Sequence, residues 1–281
     1  MTRYPRSRRS LILTALAGCL LLVLSPLTAQ AAVRATDVKT LTFNIHHGQG
    51  SDGRLDLERV AKVIEASGAS VVGLQEVDKY FDARSNWVDQ PAWLAARLQM
   101  HYVFAANLDW DPLEPGKPRR QYGTLVLSKY PIVDSRNTLL PLTPGREQRG
   151  LQEAVIDVDG TPLRFANTHL TTYNDGERQL QVNAIVDLLK DAAEPTMLVG
   201  DLNAIPTSTE VKTLTTHWTD TWRKVGAGLG FTSPALLPVR RIDYQLHSAG
   251  LTPKSASVRS TLASDHLPVA ATYTLAASSR G

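Results

Sequence analysis

Polar residues stand directly after several short apolar runs in this sequence, and their types, carboxylates, amides and imidazoles, suit cation binding and proton transfer. Asn44 follows Leu41-Thr42-Phe43, Gln75-Glu76 follow Val71-Val72-Gly73-Leu74, and His169 follows Phe165-Ala166-Asn167-Thr168. Asp201 and Asn203 follow Met197-Leu198-Val199-Gly200, Asp243 sits in Arg241-Ile242-Asp243-Tyr244, and Asp265-His266 sit in Ser264-Asp265-His266-Leu267-Pro268. Phosphoester hydrolysis needs a hard cation against the phosphate oxygens, a base for water, and an acid or cation at the leaving oxygen. Glu76, Asp265 and Asn44 offer oxygen ligands suited to Mg²⁺ or Mn²⁺, and no Cys- or His-rich spacing favours zinc. An imidazole such as His266, with an ordinary pKa near ~6.5, suits proton transfer at neutral pH. Any one of these residues is as readily a helix cap or a turn residue. Their joint occurrence at the ends of successive apolar runs is what points to a site, because ligands of α/β sheets gather at strand carboxyl ends.

The elements that must hold these residues alternate along the chain. Val38 to Ile45 reads as a strand, and Asp56 then caps a helix whose Leu57, Val60, Ala61 and Ile64 recur at helical spacing. Val71 to Gln75 is a short buried strand, Asp89 and Pro91 open a second helix through Leu98, and Tyr102 to Ala105 and Thr124 to Leu127 are strands. Asp109 to Arg120, rich in proline and charge, is predicted to be a surface loop. Gln152 to Val158 and Pro162 to Thr168 flank Asp159-Gly160, a hairpin signal that makes two neighbouring strands antiparallel. A third helix carries Leu180, Ala184, Ile185, Leu188 and Leu189, ends near Lys190, and has Asn174 and Asp175 as its expected caps. Thr196 to Val199, Ile242 to Leu246 and Val269 to Leu275 complete the strands, and Trp218 and Trp222 are expected in the core. Helix crossovers mixed with hairpins predict an α/β fold with mixed sheets.

At 281 residues, 43% hydrophobic and 20% charged, the chain has the composition of a folded protein. Its single cysteine, Cys19, lies in the apolar run Leu11 to Leu24, so the folded part has no disulfide. Arg3, Arg6, Arg8 and Arg9 precede that run, and Ala29-Gln30-Ala31 follows it as an A-x-A site. A signal peptide over 1–31, a single domain over 33–275 and a secreted or periplasmic location are therefore expected. Leu16-Ala17-Gly18-Cys19 also resembles a lipoprotein box, and Ser7-Arg8-Arg9-Ser10-Leu11 a twin-arginine signal. Lipid anchoring at Cys19 is the weaker reading, since apolar Leu20 to Leu24 would replace the usual polar tether; an uncleaved anchor is a third. Cleavage removes four arginines and no acid, leaving 26 Lys+Arg against 27 Asp+Glu and a formal charge of −1 instead of +3. A general phosphate-tracking binder needs a cationic excess that such a chain does not have.

In order along the chain, Thr42-Phe43-Asn44-Ile45, Leu74-Gln75-Glu76-Val77, Thr168-His169-Leu170, Gly200-Asp201-Leu202-Asn203-Ala204 and Ser264-Asp265-His266-Leu267-Pro268 resemble the motifs of the endonuclease/exonuclease/phosphatase superfamily. Tyr122-Gly123-Thr124 leading to Lys129-Tyr130-Pro131 is similar to a further family segment. The resemblance, to an exported bacterial member, implies a four-layered α/β sandwich of two packed mixed β-sheets flanked by helices. It also implies divalent-metal-dependent phosphoester cleavage. By resemblance Glu76 is the principal metal ligand, with Asn44 and Asp265 beside it; His266 is the general base and Asp243 orients a histidine. Asp201 and Asn203 would hold the attacking water or a second metal, and His169 the scissile phosphate or the leaving group. His46, His47, Tyr122, Arg146 and Arg149 are further candidates for contact with substrate.

The expected function is that of a secreted, monomeric, Mg²⁺- or Mn²⁺-dependent phosphoester hydrolase. A phosphodiesterase on a small or lipid-linked phosphodiester, working by in-line attack of a base-activated water, is favoured over a nuclease on DNA or RNA. Phe231 to Val239, with Ala235-Leu236-Leu237, is the segment best suited to face a membrane lipid. Lys117, Arg119 and Arg120, with Arg240 and Arg241, are the residues that would have to cluster as a positive rim for nucleic acid to bind. A catalytically silent binding module on the same scaffold would be expected to have lost at least one of Glu76, Asp201, Asn203, Asp265 and His266, and all five are present.

Overall fold

The structure, a computed structural model, describes residues 1–2, 35–173 and 176–277. Residues 3–31 of the expected signal peptide, Cys19 among them, and the expected helix caps Asn174 and Asp175 lie outside the described residues.

β1 (Thr36–Asn44) runs parallel to β2 (Val71–Lys79), and α1 (Leu57–Ser67) makes the crossover between them. α2 (Gln90–Leu98) leads into the antiparallel pair β3 (His101–Trp110) and β4 (Arg120–Ser128). β5 (Ile132–Leu139), β6 (Gly150–Val158) and β7 (Thr161–His169) form an antiparallel meander, and α3 (Glu177–Leu189) then carries the chain to β8 (Thr196–Asp201), parallel to β7. α4 (Thr209–Thr215), β9 (Thr219–Asp220) and α5 (Thr221–Val225) precede β10 (Asp243–His247). β11 (Leu251–Val258) and β12 (Val269–Leu275) return to the first sheet. The two six-stranded mixed sheets have the orders β11-β12-β1-β2-β4-β3 and β5-β6-β7-β8-β10-β9.

Alternation along the central strands sends successive side chains to opposite faces. Val38, Val71 and Val126 from one sheet meet Phe165, Met197 and Val199 from the other in the layer between them. Phe43, Leu74 and Leu125 face outward onto Ile64 and Leu94 of α1 and α2, while Leu198 and Leu246 face Val182, Ile185 and Leu214 of α3 and α4. The result is the four-layered sandwich, helices outside and sheets inside. Trp218 belongs to the outer cluster under α3 and α4. Toward the carboxyl ends of the central strands the inner layer turns polar. Gln75 Nε2 donates to Asn167 Oδ1 at 2.7 Å and to Thr42 Oγ1 at 3.0 Å, and Asn167 Nδ2 donates to Leu74 O at 3.0 Å. Buried hydrogen bonds of this kind fix the register of one sheet against the other.

Local signals worked where the chain makes its own contacts. Asp56 Oδ1 accepts from Arg59 N at 3.1 Å and Asp89 Oδ1 from Ala92 N at 3.0 Å, capping α1 and α2. Asp159 and Gly160 turn the β6–β7 hairpin with φ of 51° and 86°. The N-cap position of α3 is Gly176, at φ 102°. The segment expected as a loop from Asp109 to Arg120 is shorter, since β3 runs to Trp110 and β4 starts at Arg120. β5 and β11 were not foreseen: they are edge strands whose exposed faces carry polar residues, so no apolar alternation marks them.

A buried ion pair anchors the strand that carries Asp243. Asp220 accepts from Arg241 Nη1 and Nη2 at 3.0 and 2.7 Å and caps α5 through Arg223 N at 3.3 Å. Both partners are buried. Asp220→Ala, which strands the guanidinium in the interior, is expected to cost about 3–5 kcal/mol. A urea midpoint within error of wild type would show the pair to be dispensable.

Candidate active site

Strand pairing brings the polar residues together. Asn44 pairs with Gln75 at the ends of β1 and β2, and in the other sheet His169, Asp201 and Asp243 stand side by side on β7, β8 and β10. Glu76 reaches the cleft through an irregularity. The β2–β4 register slips between Leu74 and Val77, and Glu76 adopts φ 58°, so the bulge re-aims its side chain. Gly200, at φ 142°, lets β8 pass β7 closely, since a Cβ there would fall 1.9 Å from Thr168 O. Ser264 Oγ donates to Asn44 O at 2.7 Å and accepts from His266 N at 3.2 Å, which seats the Asp265-His266 loop on the end of β1.

Asp201 lies at the centre, fully buried. Asn44 Nδ2 donates to Asp201 Oδ2 at 3.1 Å and to Glu76 Oε1 at 2.8 Å, while Asn44 Oδ1 accepts from His46 N at 3.1 Å. Asn44 therefore turns its amide nitrogen to the carboxylates and braces them. His169 Nε2 and His266 Nε2 stand 3.6 and 3.7 Å from Asp201 Oδ2. Asp243 Oδ2 lies 2.9 Å from His266 Nδ1, a carboxylate behind the ring. Asn203, at φ 48°, donates its backbone N–H to Asp201 Oδ1 at 2.9 Å.

Charge in this cluster is set by burial and by neighbouring ions. Burial, with Asp243 adding to it, pushes Asp201 up to about 7. Burial acts downward on His266, but Asp243 and Asp201 outweigh it and push the ring up to about 10. His266 is thus held as an imidazolium at neutral pH by its two carboxylate neighbours. Burial, then the charges of Arg149 and His266, holds His169 well below its ordinary value. Its Nδ1 accepts from Arg149 Nη1 at 2.7 Å, leaving the proton on Nε2.

Other expected contacts resolve differently. Arg149 is buried against His169 and pairs with Glu147 at 2.9 Å, so it backs the histidine. Arg146 bonds Glu177 at 3.1 Å and lies 4.0 Å over the Tyr173 ring, bracing the start of α3. Tyr122 is buried; burial, then Glu76 and Glu147, keeps its phenol protonated. His47 is driven down to about 4 by burial and by Arg84 and His46, and is neutral. Arg84, which the sequence did not single out, binds buried Asp78 at 2.8 and 2.9 Å and lies 5.3 Å from the Tyr122 ring. Three of the cations named for a positive rim are committed elsewhere. Arg119 is tied to Asp109 and Asp111 at 2.6 Å each, Arg120 donates to Phe81 O at 2.7 Å, and Arg241 is buried.

The profile of the endonuclease/exonuclease/phosphatase family matches residues 41–266. The chain belongs to this family. A family protein from Beutenbergia cavernae is 28% identical with a TM-score of 0.70, over 85% of this chain and 72% of that one. The fold is shared with the mannosyl-6-phosphatase of Bacteroides thetaiotaomicron, at 17% identity and TM-score 0.67, covering 83% of this chain and 98% of that one. Protein cwh43 of Schizosaccharomyces pombe is 30% identical over 87 residues, 31% of this chain and 9% of that protein. Members of the endonuclease/exonuclease/phosphatase family are hydrolytic phosphoesterases, and the donor set here fits the divalent cation that the family uses. Glu76, His46 and His47 present ligand atoms within 4.8 Å of one another, and His46 Nδ1 is 3.9 Å from Asp265 Oδ1. His47 Nδ1 is buried with no partner. A carboxylate with two imidazoles, and Asp265 beside one of them, can hold a divalent cation.

Proposed function

We propose that this protein is an exported, divalent-metal-dependent phosphodiesterase acting on a small or lipid-linked phosphodiester. The observation that carries the reading is the buried Asp201 carboxylate bracketed by two imidazole Nε2 atoms at 3.6 and 3.7 Å, beside Glu76. Asp201 takes the proton of the attacking water, and the water oxygen bonds to phosphorus as the opposite P–O bond breaks in line and the leaving oxygen takes a proton from solvent. His266, held as an imidazolium by Asp243, and neutral His169, donating from Nε2, bind the phosphate oxygens. Glu76 and Asp265, with His46 beside them, would hold a divalent cation, which would supply neutralisation of charge on those oxygens. Leu236 and Leu237, 67% and 72% exposed, support the lipid-linked option, because Ala235 N in the same loop donates to Asp265 O at 2.7 Å.

A substrate panel tests the class. With Mg²⁺, bis-p-nitrophenyl phosphate and phospholipid headgroup esters should be cleaved, whereas duplex DNA should bind weakly at ~150 mM salt in Ca²⁺. Submicromolar DNA binding under those conditions would promote a nuclease instead. The pH profile of kcat/KM should rise as Asp201 loses its proton near about 7 and fall as His266 loses its own toward about 10. Asp243 raises both, so Asp243→Asn should move both limbs to lower pH. Unmoved limbs would detach these two groups from the rate.

A further inference from the structure

A cavity of about 380 Å³ opens between two loops. The first loop starts at Tyr80, just beyond Glu76, and is closed at its neck by the Lys79–Asp89 bridge and by Tyr80 N donating to Val88 O at 3.1 Å. The second is the β3–β4 connection, residues 111–119, which ends just before Tyr122. Tyr80, Trp87, Pro112, Leu113 and Pro118 give the cavity apolar walls, and Arg120 lines it with them.

The aromatic wall is fixed in place. The Arg120 guanidinium lies 5.3, 5.6 and 5.7 Å from the rings of Trp110, Phe81 and Trp87, and it also donates to Phe81 O at 2.7 Å. Phe81 stands 5.0 Å from Trp110 and 5.6 Å from Tyr122, so a ladder of rings leads from the cavity to the wall of the site. Tyr80 and Trp87 take φ of 52° and 56°. A large side chain in that region costs about 1–3 kcal/mol, and such strain clusters at functional positions. Burial does not explain it at Trp87, which stays 40% exposed.

We propose that this cavity is a subsite for a planar, unsaturated ring carried on the organic arm of the phosphoester, stacked on Trp87. The inference rests on the phosphoesterase reading of the neighbouring cluster. Flat indole and phenol walls match a ring face, and Lys117, Glu114 and Arg120 around the same cavity supply donors and an acceptor for polar atoms at a ring edge. An alkyl chain makes no use of those three charges. A nucleobase and a simple aryl group share the required chemistry.

Calorimetry on the Mg²⁺-loaded full chain, with non-hydrolysable phosphonates, separates the alternatives. A 2-phenylethylphosphonate or a nucleoside 5′-methylenephosphonate should bind about tenfold or more tighter than methylphosphonate. The nucleoside compound being the tighter points to a nucleobase, and the phenylethyl compound to an aryl group. Trp87→Ala should abolish the margin and leave methylphosphonate affinity within about twofold. Leu113→Asp, a change at an exposed loop position, should do the same if Trp87→Ala folds poorly. Equal binding of all ligands, no binding of any, or an octylphosphonate at least as tight as the ring compounds would overturn the subsite. Ring binding through Trp87 without methylphosphonate binding, and without bis-p-nitrophenyl phosphate hydrolysis, would keep the subsite and defeat the phosphoesterase reading.

Discussion

Asp201→Asn is expected to lower kcat on a phosphodiester by about 10³-fold, within the range that positioned general bases supply. The amide keeps the shape of the carboxylate and the hydrogen bond from Asn203 N, but it accepts no proton from water. The effect should fall on kcat more than on KM, because the water is activated only as the transition state forms. Folding should not suffer. A carboxyl whose folded pKa is raised to about 7 binds more protons folded than unfolded between pH 4 and 7, so its contribution to stability falls as pH rises through that window. Removing the charge removes that penalty, and the variant should be at least as stable as wild type at pH 8. Loss of activity together with loss of fold would leave Asp201 a structural residue.

Glu76→Gln is expected to weaken Mg²⁺ binding by at least the ~10–100-fold that loss of an outer-shell partner costs, and to lower turnover at limiting metal. The carboxylate stands on a bulge at φ 58°, and Asn44 Nδ2 holds it at 2.8 Å. Glutamine preserves that size but brings no charge to a divalent cation. High Mg²⁺ should restore part of the rate, which it cannot do for Asp201→Asn. The contrast between the two variants assigns one residue to the metal and the other to the water. If raising Mg²⁺ rescues both alike, the two roles are not separate.

The strand-end residues were legible because short apolar runs announce buried strands, and a polar residue after such a run lies at a sheet end. Asn44, His169 and Asp201 stand there, whereas Asp243 opens β10, which runs antiparallel to β8. What local pattern could not reveal was direction. The sequence shows neither the bulge that re-aims Glu76 nor the orientation that makes Asn44 a brace. It gives no sign that two carboxylates would close on His266 and hold its proton. Arg84 escaped notice because its role comes from Asp78 and the Tyr122 ring, contacts made only in the fold. Arg149, expected against substrate, and Arg241, expected on a rim, prove buried, each with a partner distant in sequence. The aromatic cavity has the same origin, since its walls come from two loops with no periodicity.

The most direct measurement is hydrolysis of bis-p-nitrophenyl phosphate by the full chain as Mg²⁺ is withdrawn and returned. Turnover should vanish in EDTA and recover when Mg²⁺ or Mn²⁺ is added in excess of the chelator. Undiminished turnover in EDTA, by protein that retains no metal, would contradict a phosphoesterase whose cation is held at Glu76 and Asp265.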